Sequence, residues 1–428
     1  MERILLAGNY PNLAALELIN FEQKKVFHYF TDNSVFRHIF QSQITDLVLH
    51  NNDEYFKKMR LDIYTRNVYL HIFSLFKNLK HLTTVSASLS DYPYFLLCNL
   101  PPTTCYSSSL TVLCINVYEF QDCLCLLDGR LKQLSTFIVQ IHYIFNMKSI
   151  NLNKGELHNL KCFSLTSYDL IMNYDDLVVP LFRRMTHLEK LTLYFRILHR
   201  NAFVDGTHLQ NEILAHMPQL HTFTFYISTQ EVIFSSFPRK SNSDIERTFT
   251  NIRYGQTACI IDSFNGDHKA ICHVYSLPFT FTRLETITTH FPFIVFDTVT
   301  ILSAYDMIPM QHEFFMRISQ AFPMLNQSLK CDEWKSDKNS SYSIIEYPHL
   351  MSLDVMYADI DYIAQFLLET KTHLPRLTQL KVDYYQLKTV TMNFTRDTIR
   401  RNCSKINRLI VKVPTVFSKD VYQYFPSL

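Results

Sequence analysis

The stretch Leu374-Pro375-Arg376-Leu377-Thr378-Gln379-Leu380-Lys381-Val382 decides the fold of this chain. It joins a proline turn to the frame Leu-x-x-Leu-x-Val, and similar phrases recur along the 428 residues. A pattern that returns every few tens of residues indicates one supersecondary repeat stacked many times. The proline phrase occurs at Tyr10-Pro11-Asn12-Leu13, Met217-Pro218-Gln219-Leu220, Phe291-Pro292-Phe293-Ile294, Phe322-Pro323-Met324-Leu325, Tyr347-Pro348-His349-Leu350, Leu374-Pro375-Arg376-Leu377 and Phe425-Pro426-Ser427-Leu428.

Each repeat combines two hydrophobic periods. The Leu-x-Leu part has period two, which indicates a short strand with one buried face. Apolar residues at helical spacing follow in several repeats, and proline then ends the helix and turns the chain into the next strand. This order predicts an α/β leucine-rich-repeat solenoid, a horseshoe with parallel concave strands and convex helices. The helical segments are Asp175 to Met185, Glu313 to Phe322 and Asp361 to Leu374, and successive repeats mostly start 24 to 35 residues apart.

A repeat array has a continuous core, so we expect residues 1–428 to form a single solenoid of about a dozen repeats. Irregular inserted loops are expected near residues 230–255 and 332–344, where polar stretches interrupt the pattern. Ile271 to Leu277 and Val299 to Ile301 resemble strands, but their register is open by a few residues. The chain ends on the opening of another repeat, so the pattern also predicts that further residues follow in a longer gene product.

Composition narrows the function. The six glycines lie at least eleven residues apart, so no Gly-x-Gly-x-x-Gly or Walker phosphate-binding loop exists. The formal net charge is +2 without long charged runs, which argues against a nucleic-acid partner. No stretch of eighteen apolar residues and no signal peptide appear, so we expect a chain of the cytoplasm or nucleus that does not insert into a membrane.

No residue set predicts catalysis. The ten cysteines are scattered and are expected to be reduced and mostly buried. The patch from Cys259 to His273 lacks the close ligand pairs of a zinc site, and Cys272 fits a buried strand position. Cys123 and Cys125 lie in an apolar segment that favours helix packing. We therefore predict no enzyme, no cofactor and no metal site.

The phrases His349-Leu350-Met351-Ser352-Leu353-Asp354-Val355 and Pro375 to Val382 resemble the leucine-rich-repeat region of F-box/LRR proteins. The resemblance covers nearly the whole chain and implies the substrate-recognition part of a cullin–RING ubiquitin ligase. An F-box would recruit a Skp adaptor and a cullin, but no F-box precedes the repeats in this sequence. The asparagine that this family places at the ninth position is also nearly absent, so the turns would need backbone or water partners. The alternative is a free-standing protein-interaction or inhibitory module with no ligase link.

The predicted partner surface follows from strand alternation. In a Leu-x-x-Leu-x-Leu repeat the leucines point inward, so the residues between them face the concave side. Tyr194 and Tyr226 should be neighbours there, and tyrosine is enriched among residues that dominate binding energy. The predicted protein-binding residues are Lys190, Thr192, Tyr194, Thr222, Thr224, Tyr226, Asp354, Met356, Gln379, Lys381, Asp383, Arg408 and Lys412.

Overall fold

The computed structural model shows an α/β fold that divides into two compact units. Unit 1 spans Met1–Ser276 and unit 2 spans Leu277–Leu428. Each unit has its own sheet, and most strand pairs are parallel. Whether one continuous array joins the two units remains a prediction from the sequence. The structure describes residues 8, 10–21, 41–51, 65–86, 95–97, 100, 104–144, 157–232, 240–264, 269–288, 291, 294–305, 312–326, 328–332, 343–413 and 416–428.

Unit 1 is built on a ten-stranded sheet. Its strands follow chain order from β1 to β8, and β10 and then β9 complete the sheet. The strands are β1 (Ala15–Phe21), β2 (Asp46–Asn51), β3 (His81–Ser86), β4 (Val112–Glu119), β5 (Thr136–Tyr143), β6 (Cys162–Ile171), β7 (Lys190–Leu198), β8 (Thr222–Val232), β9 (Gln256–Phe264) and β10 (Lys269–Leu277). The helices are α1 (Leu70–Leu75), α2 (Phe120–Leu126), α3 (Val179–Phe182), α4 (Gly206–Glu212) and α5 (Asn242–Glu246). Single helical turns lie at Thr65–Tyr69, Tyr174–Val178, Leu214–His216 and Ile252–Tyr254.

The proline phrase folds as a tight turn, and a strand follows the turn in the described cases before the last one at the C-terminus. The amide of Leu220 donates to the carbonyl of Met217 at 3.2 Å, with Pro218 at the second position of the turn. Proline suits this position because its fixed φ matches the turn geometry. The predicted proline turn is therefore confirmed where it is described. The same bond closes Tyr10–Leu13, Phe322–Leu325, Tyr347–Leu350, Leu374–Leu377 and Phe425–Leu428. Pro292 and Phe293 lie outside the described residues, and the turn described nearby runs from Phe296 to Val299.

Each strand begins by docking on the strand before it. The amides of Glu189 and Lys190 both donate to the carbonyl of Lys161, at 2.8 and 3.0 Å. The carbonyl of Glu189 in turn accepts from the next two such amides, those of His221 and Thr222. One carbonyl oxygen has two lone pairs, so a single acceptor can satisfy both donors. The same arrangement, with two consecutive amides donating to one carbonyl, recurs at all seven parallel junctions from β1 to β8. It fixes the register between neighbouring strands in this part of unit 1.

Side chains in the turns add a second set of bonds between neighbouring repeats. Asn159 donates from Nδ2 to the carbonyl of Lys132 at 2.7 Å. Ser109 donates to Lys77 at 3.0 Å. The sequence led us to expect backbone or water partners here, because the ninth-position asparagines are missing. Short polar side chains just before the first leucine fill part of this role instead. Equivalent bonds join Asn78 to Ser42, Thr298 to Phe279 and Ser427 to Ser404.

Alternate strand residues and the helices share one core. On β7, Leu191, Leu193 and Phe195 are buried in the same cluster as helix residues such as Phe182. We call this side the core face of the sheet. The opposite side, which we call the polar face, carries Lys190, Thr192 and Tyr194 on β7. The predicted inward direction of the frame leucines is confirmed.

Unit 1 departs from an all-parallel sheet at its last strands. β10 pairs antiparallel with β8, so that Tyr275 lies opposite Tyr226. Only residues 265–268 connect β9 to its neighbour β10. A parallel crossover takes about a dozen residues or more, so this short connection makes the chain return as a hairpin. The prediction of parallel strands throughout is wrong here, although Ile271 to Leu277 do form a strand.

Unit 2 contains a six-stranded sheet in the order β11-β12-β13-β15-β17-β18 and a two-stranded sheet of β14 and β16. All described pairs in both sheets are parallel. The strands are β11 (Arg283–Ile287), β12 (Ile301–Tyr305), β13 (Ser328–Asp332), β14 (Ile345–Glu346), β15 (Ser352–Tyr357), β16 (Thr372–His373), β17 (Gln379–Val382) and β18 (Arg408–Val411). The helices are α6 (His312–Ala321), α7 (Ile360–Leu367), α8 (Tyr384–Val390), α9 (Asp397–Cys403) and α10 (Lys419–Tyr424).

The predicted helices and inserted loops are only partly as expected. The segment Asp175 to Met185 is helical through Phe182, and α6 matches the segment from Glu313. The segment from Asp361 is shorter than predicted, because Leu368 is extended and α7 ends at Leu367. Residues 230–255 are not a simple loop, since β8 continues to Val232 and α5 follows. Residues 233–239 and 333–342 of the two predicted insertions lie outside the described residues.

None of the helices in the described part of the chain is both long and apolar enough to cross a lipid bilayer. The longest, α6, has only ten residues.

A left-handed segment after α8 gives a test of the backbone. Met392, Asn393 and Phe394 have φ values of 50, 55 and 63°. Such a φ is unfavourable for any residue with a Cβ atom. Because Met392 is exposed, we expect Met392→Gly to be more stable than Met392→Ala by about 1 kcal/mol. Urea denaturation of the full chain measures the difference.

The matched control is Lys388, an exposed residue within the right-handed helix α8. There we expect the opposite sign, with Lys388→Gly less stable than Lys388→Ala by about 1 kcal/mol. Equal signs at the two positions would contradict the left-handed assignment.

Candidate functional site

The polar face of unit 2 brings several predicted residues into adjacent rows. Asp354 on β15 is the register partner of Lys381 on β17, and Gln379 is the partner of Arg408 on β18. The Lys381 Nζ lies 3.5 Å from Asp354 Oδ2. Asp354 and Lys381 are partly exposed, and Arg408 is exposed. The predicted charged row therefore exists as a surface of the folded chain.

The remaining predicted residues of unit 2 lie at the carboxyl ends of the same strands. Asp383 is the N-cap of α8, where its carboxylate accepts from the amides of Tyr385 and Gln386. Lys412 directly follows β18, and its Nζ lies 5.2 Å from the centre of the Tyr357 ring. A cation at this distance from an aromatic face is attracted by the ring quadrupole. Met356 is partly exposed beside them on β15.

The predicted rows of unit 1 are also in register. Lys190 pairs with Thr222, Thr192 with Thr224, and Tyr194 with Tyr226. Lys190 and Thr222 are exposed, and Thr192 and Thr224 are partly exposed.

The two tyrosines are neighbours, as predicted, but they are not on the surface. Their ring centroids are 4.6 Å apart, while Tyr194 is 1% and Tyr226 is 0% exposed. The Tyr226 hydroxyl is 2.9 Å from His273 Nδ1 on β10, and Tyr168 packs edge-on against Tyr194. The expectation that these rings present an open face to a partner is therefore wrong. Alternation alone could not show that hairpin β9–β10 extends the sheet beside them.

This burial changes what substitution at the two tyrosines would report. Replacing both with alanine would remove two buried rings and would lower stability by several kcal/mol, about 3–5 for each ring. A loss of partner binding in that double variant would then be ambiguous, because a less stable fold would produce it as well.

We expect Tyr226→Phe to lower the free energy of unfolding by about 1 kcal/mol, because it deletes the hydroxyl that contacts His273 and keeps the ring. Tyr106→Phe, at an exposed tyrosine, is the control and should change stability little. Thermal and urea denaturation compare the two variants. Identical behaviour would mean that the hydroxyl–imidazole contact contributes nothing.

His142 on the polar face of β5 offers a pH test. Burial lowers the pKa of His142, and the Asp169 carboxylate, 3.2 Å from Nδ1, acts in the opposite direction. Because the folded chain then takes up this proton at a lower pH than the unfolded chain, stability is lost as pH falls through the depressed pKa. We expect His142→Gln to lose less stability than wild type between about pH 7 and pH 5.

Removing the opposing carboxylate provides the companion variant. Asp169→Asn should steepen the acid loss, since nothing would then offset the burial of His142. Denaturation midpoints across the same pH range test both variants. If the midpoints of wild type and His142→Gln fell in parallel with pH, His142 would not contribute to the acid loss of stability.

The described cysteines favour packing over chemistry. Cys123 is buried on α2, and burial raises its pKa; burial also raises the pKa of Cys105 to about 12. Such thiols stay protonated near neutral pH and are poor nucleophiles. Cys272 is buried as predicted, and its Sγ lies 3.7 Å from Cys259 Sγ. Among the described residues, no group of three or more His, Cys, Asp or Glu side chains is placed to hold a metal ion.

Sequence reasoning missed an aromatic surface at the carboxyl ends of β15, β17 and β18. Tyr385 is 75% exposed, and Tyr357 and Tyr422 are each 51% exposed. Val413 and Val416, which precede Tyr422 in the chain, are also exposed. The signal that could have found this surface is the pair Tyr384-Tyr385 at the start of a helix, because consecutive helical side chains point in different directions and only one of them can face the core.

Neither a family model nor a curated protein matches this chain. The resemblance to F-box/LRR proteins therefore rests on the repeat pattern.

Proposed function

We propose that this chain is a non-enzymatic protein-recognition scaffold built as a leucine-rich-repeat solenoid, and that it serves as the substrate-binding repeat region of an F-box-type ubiquitin ligase subunit. The same turn, amide docking and strand recur in both compact units. Such recurrence is the structural counterpart of a repeated sequence phrase. Parallel strands whose second face carries polar side chains are the architecture that these repeats use to bind proteins.

The observation that carries the proposal is the charged row of unit 2. Asp354 and Lys381 face each other across β15 and β17, and Gln379 and Arg408 do so across β17 and β18. One carboxylate, one amide and two basic groups therefore lie side by side on three neighbouring strands. Such an array suits a protein partner, because complementary charges orient the partner and select against wrong ones.

The proposed compartment is the cytoplasm or nucleus. The cysteines that the structure describes as free include Cys123 and Cys125, two residues apart on α2. Reduced cysteines are usual in these compartments. If the gene product carries an F-box ahead of the repeats, a Skp adaptor and a cullin would join this chain through it.

A second candidate is a free-standing recognition or inhibitory module. The same repeat pattern supports it, because leucine-rich-repeat arrays present a binding surface whether or not an F-box accompanies them. The two candidates differ in their partners and share the same binding face.

The experiment uses a charge swap, Asp354→Lys with Lys381→Asp. The swap keeps an ion pair inside the chain but inverts the pattern that a partner meets. The Asp354 side chain is 15% exposed and its carboxylate also accepts from the amide of Met356, so we expect the swap to lower the free energy of unfolding by about 1 kcal/mol, for the one hydrogen bond that is lost. We expect the swap to weaken the binding of specific partners about tenfold or more, since charges now oppose at the interface.

The matched control is the swap Lys161→Glu with Glu189→Lys. This pair also joins neighbouring repeats, with 2.8 Å between Nζ and Oε1, but it lies in unit 1. Affinity purification from cells with quantitative mass spectrometry compares the wild-type chain and the two swaps. Partners lost only in the unit 2 swap support the proposal, and a Skp adaptor with a cullin among the captured proteins supports the ligase link. Equal partner sets in all three would refute recognition by this face.

A further inference from the structure

The aromatic surface of unit 2 combines residues at the carboxyl ends of its strands with residues before and within α10. We call it the aromatic rim and define it by Tyr357, Tyr385, Lys412, Val413, Phe417 and Tyr422. Contiguous exposed apolar side chains on a folded protein usually mark an interaction site. The rim is separate from the charged row, which lies within the strands themselves.

Strand register brings the parts of the rim together. Val382 and Val411 are partners at the ends of β17 and β18. The residues that follow them, Asp383 and Lys412, therefore leave adjacent strands about 5 Å apart. Lys412 reaches across to the Tyr357 ring at the end of β15.

Aromatic contacts extend the rim toward α10. The Tyr384 ring stacks on Phe417 with centroids 6.1 Å apart, and Phe417 meets Tyr422 at 6.2 Å. Tyr384 also contacts Tyr385 at 6.2 Å. These contacts hold the rings in fixed positions. Little side-chain entropy is therefore lost when a partner binds to them.

The rim lies in the most basic part of the chain. Residues 384–428 contain eight Lys or Arg and two Asp or Glu, a net charge of +6 in a chain of net charge +2. Lys388, Lys412 and Lys419 are exposed. Within the described structure, none of these three amines forms an ion pair with a carboxylate. The carboxylate of Asp383 is already used to cap α8.

We propose that the aromatic rim binds an acidic segment of a partner protein that carries apolar anchor residues. Apolar side chains of the segment cover Val413, Phe417 and Tyr422, and its carboxylates lie near Lys388, Lys412 and Lys419. This inference rests on the proposed role of the chain as a recognition module and names the chemistry of the partner. The aliphatic Val413 and Val416 favour a peptide over a nucleic acid, which binds mainly through many phosphate contacts.

The test starts from a random-peptide display library selected on the full immobilised chain. We expect enriched peptides to contain aspartate or glutamate together with leucine, phenylalanine or tryptophan. The most enriched peptide, labelled with fluorescein, then gives a dissociation constant by anisotropy. A single-stranded RNA oligonucleotide is measured in parallel.

Two triple variants decide whether the rim is the site. Lys388→Glu with Lys412→Glu and Lys419→Glu reverses the charge of the rim. Lys77→Glu with Lys132→Glu and Lys371→Glu makes the same change of net charge at exposed lysines elsewhere. Exposed ion pairs are each worth a few-fold in affinity, so we expect the rim variant to bind the peptide about tenfold or more weakly. The control variant should bind nearly as the wild type does.

Aromatic contributions are tested by Tyr385→Ala with Tyr422→Ala, at two exposed rings whose loss leaves the core intact. We expect a similar weakening, and circular dichroism checks that the fold is retained. The proposal is overturned if no acidic peptide is enriched, if both triple variants weaken binding equally, or if RNA binds more tightly than the peptide. The two proposals can fail separately. If the Asp354–Lys381 swap loses cellular partners but the wild-type chain enriches no acidic peptide, the proposed function stands and this inference is wrong.

Discussion

The structure of both units depends on one recurring hydrogen-bond arrangement, in which a carbonyl at the start of one strand accepts two consecutive amides from the next. At β6 and β7 the acceptor is Lys161 and the donors are Glu189 and Lys190. The arrangement fixes where the next strand starts, and therefore which of its residues face the core. Each net hydrogen bond contributes about 1 kcal/mol, so the sum over many junctions outweighs any single side chain. A hydroxyl can join the same acceptor, as Thr378 Oγ1 does at the carbonyl of Met351.

This constraint explains why the sequence could predict the strands but not every boundary. The leucines of the frame and the proline turns are dictated by local chemistry, so the strands around Leu191 and Leu380 follow directly from the pattern. Hairpin β9–β10 could not be foreseen in the same way. Ile271 to Leu277 alternate as any half-buried strand does, and alternation is the same for parallel and antiparallel pairing. Only the short connection at residues 265–268 decides the direction.

The same limit applies to the candidate site. Register correctly placed Tyr194 beside Tyr226 and Asp354 beside Lys381. Exposure, however, depends on what covers a face, and residues far apart in sequence provide that cover. Tyr226 is buried with His273 close to its hydroxyl, whereas Arg408 on the last strand remains exposed. The aromatic rim was missed apart from Lys412, because most of its residues lie beyond the ends of the strands, where no periodic signal exists.

Hairpin β9–β10 also bears on how such a chain can change in evolution. Each junction from β1 to β8 repeats the same acceptor and the same pair of donors, so a gene duplication that adds one whole repeat among them leaves every other bond intact. An addition after β8 would instead have to separate β8 from the antiparallel strand β10, and would break the bonds that join them. The reversed strand thus marks the point in unit 1 beyond which a further repeat no longer extends the series without loss.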